Sequence, residues 1–356
     1  MTKLTKFNYL LFNLSMETTT AYIPELLETI NPVYLNTKPN YQIKNKTIKF
    51  IDLFAGIGGM RLGFSSPNSQ CVFSSEWDIH AQKTYYANFK ETPAGDITTI
   101  PPQDIPDHDI LLGGFPCQPF SSIGKREGFL HQTQGTLFYS IAKILEAKQP
   151  LCFLLENVPG LVNHQKGKTF SVILKTLDEL NYDVRYAILD AGDFNLPQRR
   201  ERIYIVGFKR DYLKQRIDFK FPKGKANQVF INQFLEEGVS GYSISKHLQN
   251  TYLFKKSDGK PQIVDQESEV KVKTLVSTYH KIQRLTGTFV RDGETGIRLL
   301  SERECKAIMG FPDSFIFPVS RTQMYRQLGN SVAVNVVRSI AQKIYFALEK
   351  LVFCQQ

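Results

Sequence analysis

The chain has 356 residues, 42% of them hydrophobic and 22% charged, which excludes collagen-like, fibrous and disordered classes and leaves an ordinary soluble globular protein. At this length one large core with a smaller satellite is expected, because single cores stop growing near ~250–300 residues. The formal net charge of +10 favours a polyanionic partner such as nucleic acid, but a merely basic protein fits that number equally well, so the distribution of charge must decide.

Residues 1–47 are polar and Thr/Asn-rich, apart from an amphipathic patch at Ile23-Pro24-Glu25-Leu26-Leu27, and read as an N-terminal extension. The run Leu10-Leu11-Phe12 is too short for a signal peptide. Nowhere do ~18 apolar residues run together, so no membrane association is expected. From Ile48 the pattern changes to short apolar runs alternating with helical periodicity. Strands are predicted at Ile48–Phe54, Cys71–Ser75, Asp109–Leu112, Leu151–Glu156, Val184–Leu189 and Ile203–Phe208. Helices are predicted at Asp78–Phe89, Leu137–Ala147 and Thr169–Leu180, each with one apolar stripe. This is the pattern of an α/β, doubly wound, Rossmann-like domain over 48–211. After Phe208 the alternation breaks down into irregular sequence with β-like pieces such as Val272–Thr278, which marks a smaller, β-containing domain over 212–318. A helix over Glu302–Met309 ends at Gly310-Phe311-Pro312, and a last helix, about Val334–Leu351, lies in a C-terminal segment (319–356) expected to pack back on the first domain.

The five cysteines, Cys71, Cys117, Cys152, Cys305 and Cys354, are scattered, and no two lie at C-x-x-C spacing. Neither a disulfide scaffold nor a structural metal is expected, and a reducing cytoplasm fits.

The segment Phe50-Ile51-Asp52-Leu53-Phe54-Ala55-Gly56-Ile57-Gly58-Gly59 places a tight glycine turn between a buried strand and a helix, where open α/β sheets bind ligands. It is neither the dinucleotide G-x-G-x-x-G, since position 61 is Arg, nor a phosphate-binding loop. Glu76, ending the next strand, is placed to take two ribose hydroxyls, and Asp96 to accept from an adenine amino group. Together they suit an adenosine without a pyrophosphate. Equally, Glu76 could cap the following helix and Asp96 could form a turn after Gly95.

Gly113-Gly114-Phe115-Pro116-Cys117-Gln118-Pro119-Phe120-Ser121 follows an apolar strand, so Cys117 lies on a loop at the same sheet edge as the glycine turn. A lone cysteine is most often structural, but flanking Pro, Gly and Ser argue against burial in a core element. Glu156-Asn157-Val158 puts a carboxylate at the end of the next strand, and Gln198-Arg199-Arg200-Glu201-Arg202 delivers Arg200 and Arg202 just before another. Taken singly these are a salt bridge and a solvated turn. A thiol, a carboxylate and paired guanidinium groups at one edge are harder to dismiss.

In order and spacing these segments, with Glu76-Trp77-Asp78, Gly95-Asp96-Ile97-Thr98, Arg303-Glu304, Met309-Gly310-Phe311-Pro312 and Gln327-Leu328-Gly329-Asn330-Ser331-Val332, resemble the motif series of bacterial cytosine-5 DNA methyltransferases. The resemblance covers about 48–210 and 298–340. It implies transfer of a methyl group from S-adenosylmethionine to C5 of a cytosine flipped out of duplex DNA, with S-adenosylhomocysteine as product and no metal. By this resemblance Cys117 is the nucleophile that attacks C6. Glu156 assists at N3 and the amino group, Arg202 holds the cytosine carbonyl, and Arg200 braces the Cys117 loop or a phosphate. Phe54, Ala55, Gly56, Gly58, Gly59, Glu76, Trp77, Asp96, Ile97, Phe115 and Asn330 are the implied cofactor contacts, and Ser121 a DNA contact. One departure is Gln134 before Gly135-Thr136-Leu137, where many members carry Arg.

From Arg199 to Lys225 there are ten Lys or Arg against three acids, so the surplus charge borders the active edge and suits a duplex cleft. The resemblance places target recognition in the stretch before Arg298, with Thr274-Leu275 as its recurrent dipeptide. Arg284 and Arg291 could pair with guanine edges and Gln283 with adenine, although phosphate or solvent readings serve each as well. The alternative activity is an RNA cytosine-5 methyltransferase of the transfer-RNA type. The expected setting is a bacterial restriction-modification system in the cytoplasm, with a cognate endonuclease as genetic partner and a monomeric chain.

Overall fold

The structure, a computed structural model, describes residues 47–116, 137–212, 217–225 and 228–353. Its main sheet has six strands: β1 (Ile48–Leu53), β2 (Ser69–Ser75), β3 (Ile110–Gly114), β4 (Cys152–Asn157), β5 (Tyr182–Asp190) and β6 (Glu201–Lys209), in the order β2-β1-β3-β4-β6-β5. The first four are parallel, and β6 runs antiparallel to both of its neighbours. The six predicted strands match these within two residues at each end.

The strands read as continuous apolar runs because both faces are covered. Ile48, Phe50, Ile110, Leu112, Cys152, Leu154, Tyr204, Val206 and Phe208 point to one core cluster. The intervening Ile51, Leu53, Leu111, Phe153, Leu155, Ile203 and Ile205 point to the other. Helices α1 (Gly59–Phe64) and α2 (Ile79–Phe89) follow β1 and β2; α3 (Leu137–Lys148) and α4 (Lys168–Glu179) follow β3 and β4. Residues of α3 and α4 fill the second cluster, whereas α1 contributes Met60 and Phe64 to the first.

A second layer of structure contains the two-stranded parallel pair β7 (Gln262–Val264) and β8 (Thr288–Val290), then α5 (Glu302–Met309), α6 (Arg321–Asn330) and the long α7 (Val334–Phe353). The α5 bounds match those predicted, and α5 opens with a Ser301/Glu304 capping box. Helix α7 lays Val336, Val337, Ile340 and Ile344 against the first cluster, so the chain returns to the large sheet. Ile217 and Phe219 also join that cluster, with Phe219 5.4 Å from the Phe208 ring. A third cluster spans Ile231 to Val334 and recruits Ile57, Leu62 and Ala81 from the first domain.

Val272–Thr278 is not a strand. Only Val272 forms a bridge, to Gln198, because the N–H groups of Lys273 and Leu275 go to side-chain acceptors on Gln262, Thr288 and Gln198 rather than to a ladder. Two short elements, α1 and α6, are helices that no periodicity announced.

Candidate active site

Glu156 is the fifth residue of β4, on the face that carries Cys152 and Leu154, at the carboxyl end of the parallel strands. Its strand neighbour across the ladder is Gly114, where a Cβ would stand 3.4 Å from Glu156 Oε2. From the other side β6 supplies Arg202, whose Nε lies 3.1 Å from Glu156 Oε1. Burial pushes the Glu156 carboxyl above its ordinary value, and the positive charges of Arg202 and Arg200 pull it back only in part. A carboxyl held this way keeps its proton to higher pH than a free one and is still oriented by a cation. Next to it, Asn157 Nδ2 donates to the Phe115 carbonyl (2.7 Å). That bond pins the backbone two residues before Cys117. Cys117 and Ser121 lie outside the described residues.

On the approach to β6, Gln198 and Arg200 are buried and Arg202 is half-buried, with Arg199 and Glu201 exposed between them. Their fates differ. Arg200 is 2% exposed; its Nη1 donates to the Leu275 carbonyl (2.9 Å) and its Nη2 to the carbonyls of Gly329 (3.0 Å) and Ser331. Burial and the neighbouring Arg202 lower its pKa to about 9. The expectation is that Arg200 braces the Cys117 loop or a phosphate; among the described residues its guanidinium meets protein carbonyls from two other segments, as an internal brace does.

The glycine turn sits at the adjacent strand end. Phe54 takes a left-handed backbone (φ 54°), unusual for a bulky side chain and a mark of a constrained site. Ala55 N–H donates to the Ser75 carbonyl (2.9 Å), which ties the turn to β2. Gly58 has φ 86°, and a Cβ there would stand 2.2 Å from the Phe89 ring. A Cβ on Gly59 would stand 2.5 Å from Ser331 Oγ. Glu76, 8% exposed, accepts from Gly56 N–H (2.8 Å) on one oxygen and from Asp78 N–H (2.8 Å) on the other. Helix α2 is capped by Asp78, not Glu76, which leaves the Glu76 carboxylate to hold the glycine turn. Trp77 beside it is 79% exposed. Asp96 caps a short 3-10 turn through Thr98 N–H (2.9 Å), while Ile97 is buried. Open space lies where a Cβ would stand on Gly56 and on Gly95. Phe115 is buried, its ring 5.7 Å from Phe138, and Asn330 is exposed at the end of α6.

The residues expected to read bases separate clearly. Arg291 is exposed, with Asp265 3.6 Å away, and Gln283 is half-buried, accepting from Thr286 Oγ1 (2.9 Å). Arg284 is buried, donating to the carbonyls of Leu253 (2.9 Å) and Lys256 (3.0 Å) and to both oxygens of Asp258. Its guanidinium is used up inside the domain, so the expectation that it pairs with guanine is corrected.

Sequence reading overlooked Arg298. It is fully buried and binds both oxygens of Glu304 (2.8 Å each), Asp292 (2.8 Å) and the Glu236 carbonyl (2.8 Å). Gln198 was quoted in a motif without a role; it is also fully buried. Among the described residues no group of three or more His, Cys, Asp or Glu could hold a metal ion, and no helix is long and apolar enough to cross a membrane.

An open α/β sheet with a glycine turn and acidic residues at neighbouring strand ends defines the class of α/β proteins that bind ligands along one sheet edge. The C-5 cytosine-specific DNA methylase family matches residues 48–345. The chain is 59% identical over 301 residues to type II methyltransferase M.MspI of Moraxella sp, covering 85% of this chain and 71% of that protein. It is 60% identical over 311 residues to type II methyltransferase M.BsuFI of Bacillus subtilis, covering 86% and 75%. A solved structure of a Spodoptera frugiperda DNMT2 mutant superposes with a TM-score of 0.67 at 25% identity, covering 84% of this chain and 99% of that one. The Entamoeba histolytica methyltransferase EhMeth, at 22% identity and a TM-score of 0.68 over 85% and 99%, shares the fold. The chain belongs to the C-5 cytosine-specific DNA methylase family. It is a DNA (cytosine-5)-methyltransferase.

Proposed function

We propose that this enzyme methylates cytosine in a specific duplex sequence by covalent catalysis through Cys117, as the modification half of a type II restriction-modification system. The observation that carries the reading is the buried Glu156–Arg202 pair at the strand end next to Phe115, the last described residue but one before Cys117. The type II relatives support the biological setting. The cognate endonuclease is a genetic partner, and the chain acts as a monomer in the bacterial cytoplasm.

The glycine turn fits S-adenosylmethionine. Support comes from the open space at Gly56 and Gly95, the Glu76 carboxylate bonded to Gly56 N–H and the exposed Trp77 ring beside it. Glu76 would take the ribose hydroxyls, Trp77 would stack on the base, and Asp96, Ile97, Phe54, Phe115 and Asn330 would complete the wall. When bound, the cofactor supplies an electrophilic methyl group.

The chain's own residues do the rest. The target base leaves the stack at a cost of a few kcal/mol. The Cys117 thiolate adds to C6, forming the S–C6 bond, and the ring electrons shift toward N3 and onto C5. Glu156 donates its proton or a hydrogen bond at N3, which its raised pKa favours, and Arg202 fixes both that carboxyl and the cytosine carbonyl. Carbon 5, made nucleophilic in this way, would take the methyl carbon as its bond to the cofactor sulfur breaks, leaving S-adenosylhomocysteine. Loss of the C5 proton to solvent and release of Cys117 then restore the ring.

Residues 212–318 are the recognition domain, with Arg291 and Gln283 as its candidate base readers. DNA containing 5-fluorocytosine tests the chemistry, because fluorine at C5 blocks the last elimination. Wild-type protein should form a denaturation-stable adduct and Cys117→Ser none. An adduct of undiminished yield in the mutant would remove Cys117 from the mechanism.

A further inference from the structure

The turn that enters β6 holds the recognition domain as well as the catalytic arginine. Val272 N–H donates to the Pro197 carbonyl (2.8 Å), and Arg199 N–H returns to the Val272 carbonyl (2.9 Å). Thr274 Oγ1 donates to the Arg199 carbonyl (2.7 Å). At the centre, the Gln198 amide accepts from Leu275 N–H (2.7 Å) and donates to the Ile308 carbonyl (2.9 Å). One buried side chain thus joins the catalytic hairpin, the recognition segment and α5. Arg200 closes the joint through the Leu275 and Gly329 carbonyls. At Gly329 the backbones touch so closely that a Cβ would stand 2.2 Å from Ser277 N.

Gln198 lies four residues before Arg202, in the turn that leads into the strand carrying it. The recognition segment is thus seated on this turn, ahead of the strand that carries Arg202. A buried amide whose donor and acceptor are both matched resists a shift of that segment, since each broken bond leaves an unsatisfied buried group.

We propose that Gln198 is a specificity-determining positioning residue: it locks the register of Val272–Ser277 on the catalytic hairpin, and so sets which DNA sequences are methylated without touching DNA. This rests on the reading of 212–318 as the recognition domain. A mis-seated reader would still deliver cytosine to the same strand end, but would tolerate a wrong neighbouring base pair.

The test is methylation of a random-sequence duplex library followed by bisulfite sequencing, with cofactor affinity and thermal unfolding measured in parallel. For Gln198→Leu the share of methyl groups at sites one base off the preferred sequence should rise about tenfold, part of the discrimination a single base pair usually carries. The single-turnover rate at the preferred site should stay within about threefold and the S-adenosylmethionine Kd should not change. Gln198→Glu keeps the acceptor for Leu275 and should recover much of the discrimination. Thr274→Val removes one bond at the exposed rim of the joint and should broaden methylation about twofold. Uniform slowing of Gln198→Leu with an unchanged sequence preference would overturn the proposal. If Gln198→Leu does not fold, the other two variants decide: broadening in Thr274→Val supports the joint, and wild-type preference in both overturns it. A wild-type enzyme that methylates all cytosines alike would instead sink the recognition-domain reading itself.

Discussion

Arg202 Nε lies 3.1 Å from Glu156 Oε1, and two antiparallel neighbours in the sheet, β4 and β6, bring the pair together at the carboxyl end of the parallel strands. Both side chains are largely buried, at 16% and 12% exposure. Such a pair adds little to stability on balance, and it sits at the strand ends where open α/β sheets bind ligands.

Burial raises the Glu156 pKa, so the activity and the stability tied to its proton both decline on the alkaline side. The folded state holds this proton more tightly than the unfolded chain, whose carboxyl keeps the ordinary value of 4.5. The resulting stabilisation is complete below that value and disappears as pH rises through the raised folded pKa. Single-turnover rate against pH should show a limb that falls through the same raised value. Glu156→Gln should remove this limb and lower the rate about 100-fold, and a profile identical to wild type would contradict the proton-donor role.

Trp77 exposes 79% of its surface, too much for a packing residue. Trp77→Ala should weaken S-adenosylmethionine binding about tenfold, the scale of one lost aromatic stack, without a change in melting temperature. Calorimetric titration beside thermal unfolding checks both halves, and equal affinity would place the adenine elsewhere.

At Gly58 both space and backbone oppose a side chain. With φ 86° and the Phe89 ring 2.2 Å from where a Cβ would stand, Gly58→Ala should cost about 1–3 kcal/mol. It should also weaken cofactor binding, because the turn must open to relieve the contact. Urea unfolding that matches wild type would mean that Phe89 swings clear without penalty.

The Arg298–Glu304 pair is sealed, with both side chains at 0% exposure. Glu304→Gln leaves a buried guanidinium with Asp292 as its remaining acid partner and should destabilise the protein by about 3–5 kcal/mol. Glu304 also closes the capping box of α5, so the loss should appear first as exposure of the third core cluster, read by hydrogen exchange at Ile308 and Met309. Wild-type exchange there would contradict the account.

Much of this protein was legible in the chain as written. Strands buried on both faces must be apolar runs, and a turn needing positive φ at Gly56 and Gly58 must be glycine. Those local requirements located β1 to β6, the glycine turn and the strand-end Glu156 by sequence alone, and the motif order carried the chemistry. The partners of three arginines were beyond its reach. Arg200, Arg202 and Arg284 have the same side chain, and nothing local distinguishes them. Their roles depend on partners far away in the chain: Leu275, Gly329 and Ser331 for Arg200, Glu156 for Arg202, and Asp258 for Arg284. Only the tertiary structure sets those distances, and a guanidinium can face a substrate only where the fold leaves it donors to spare.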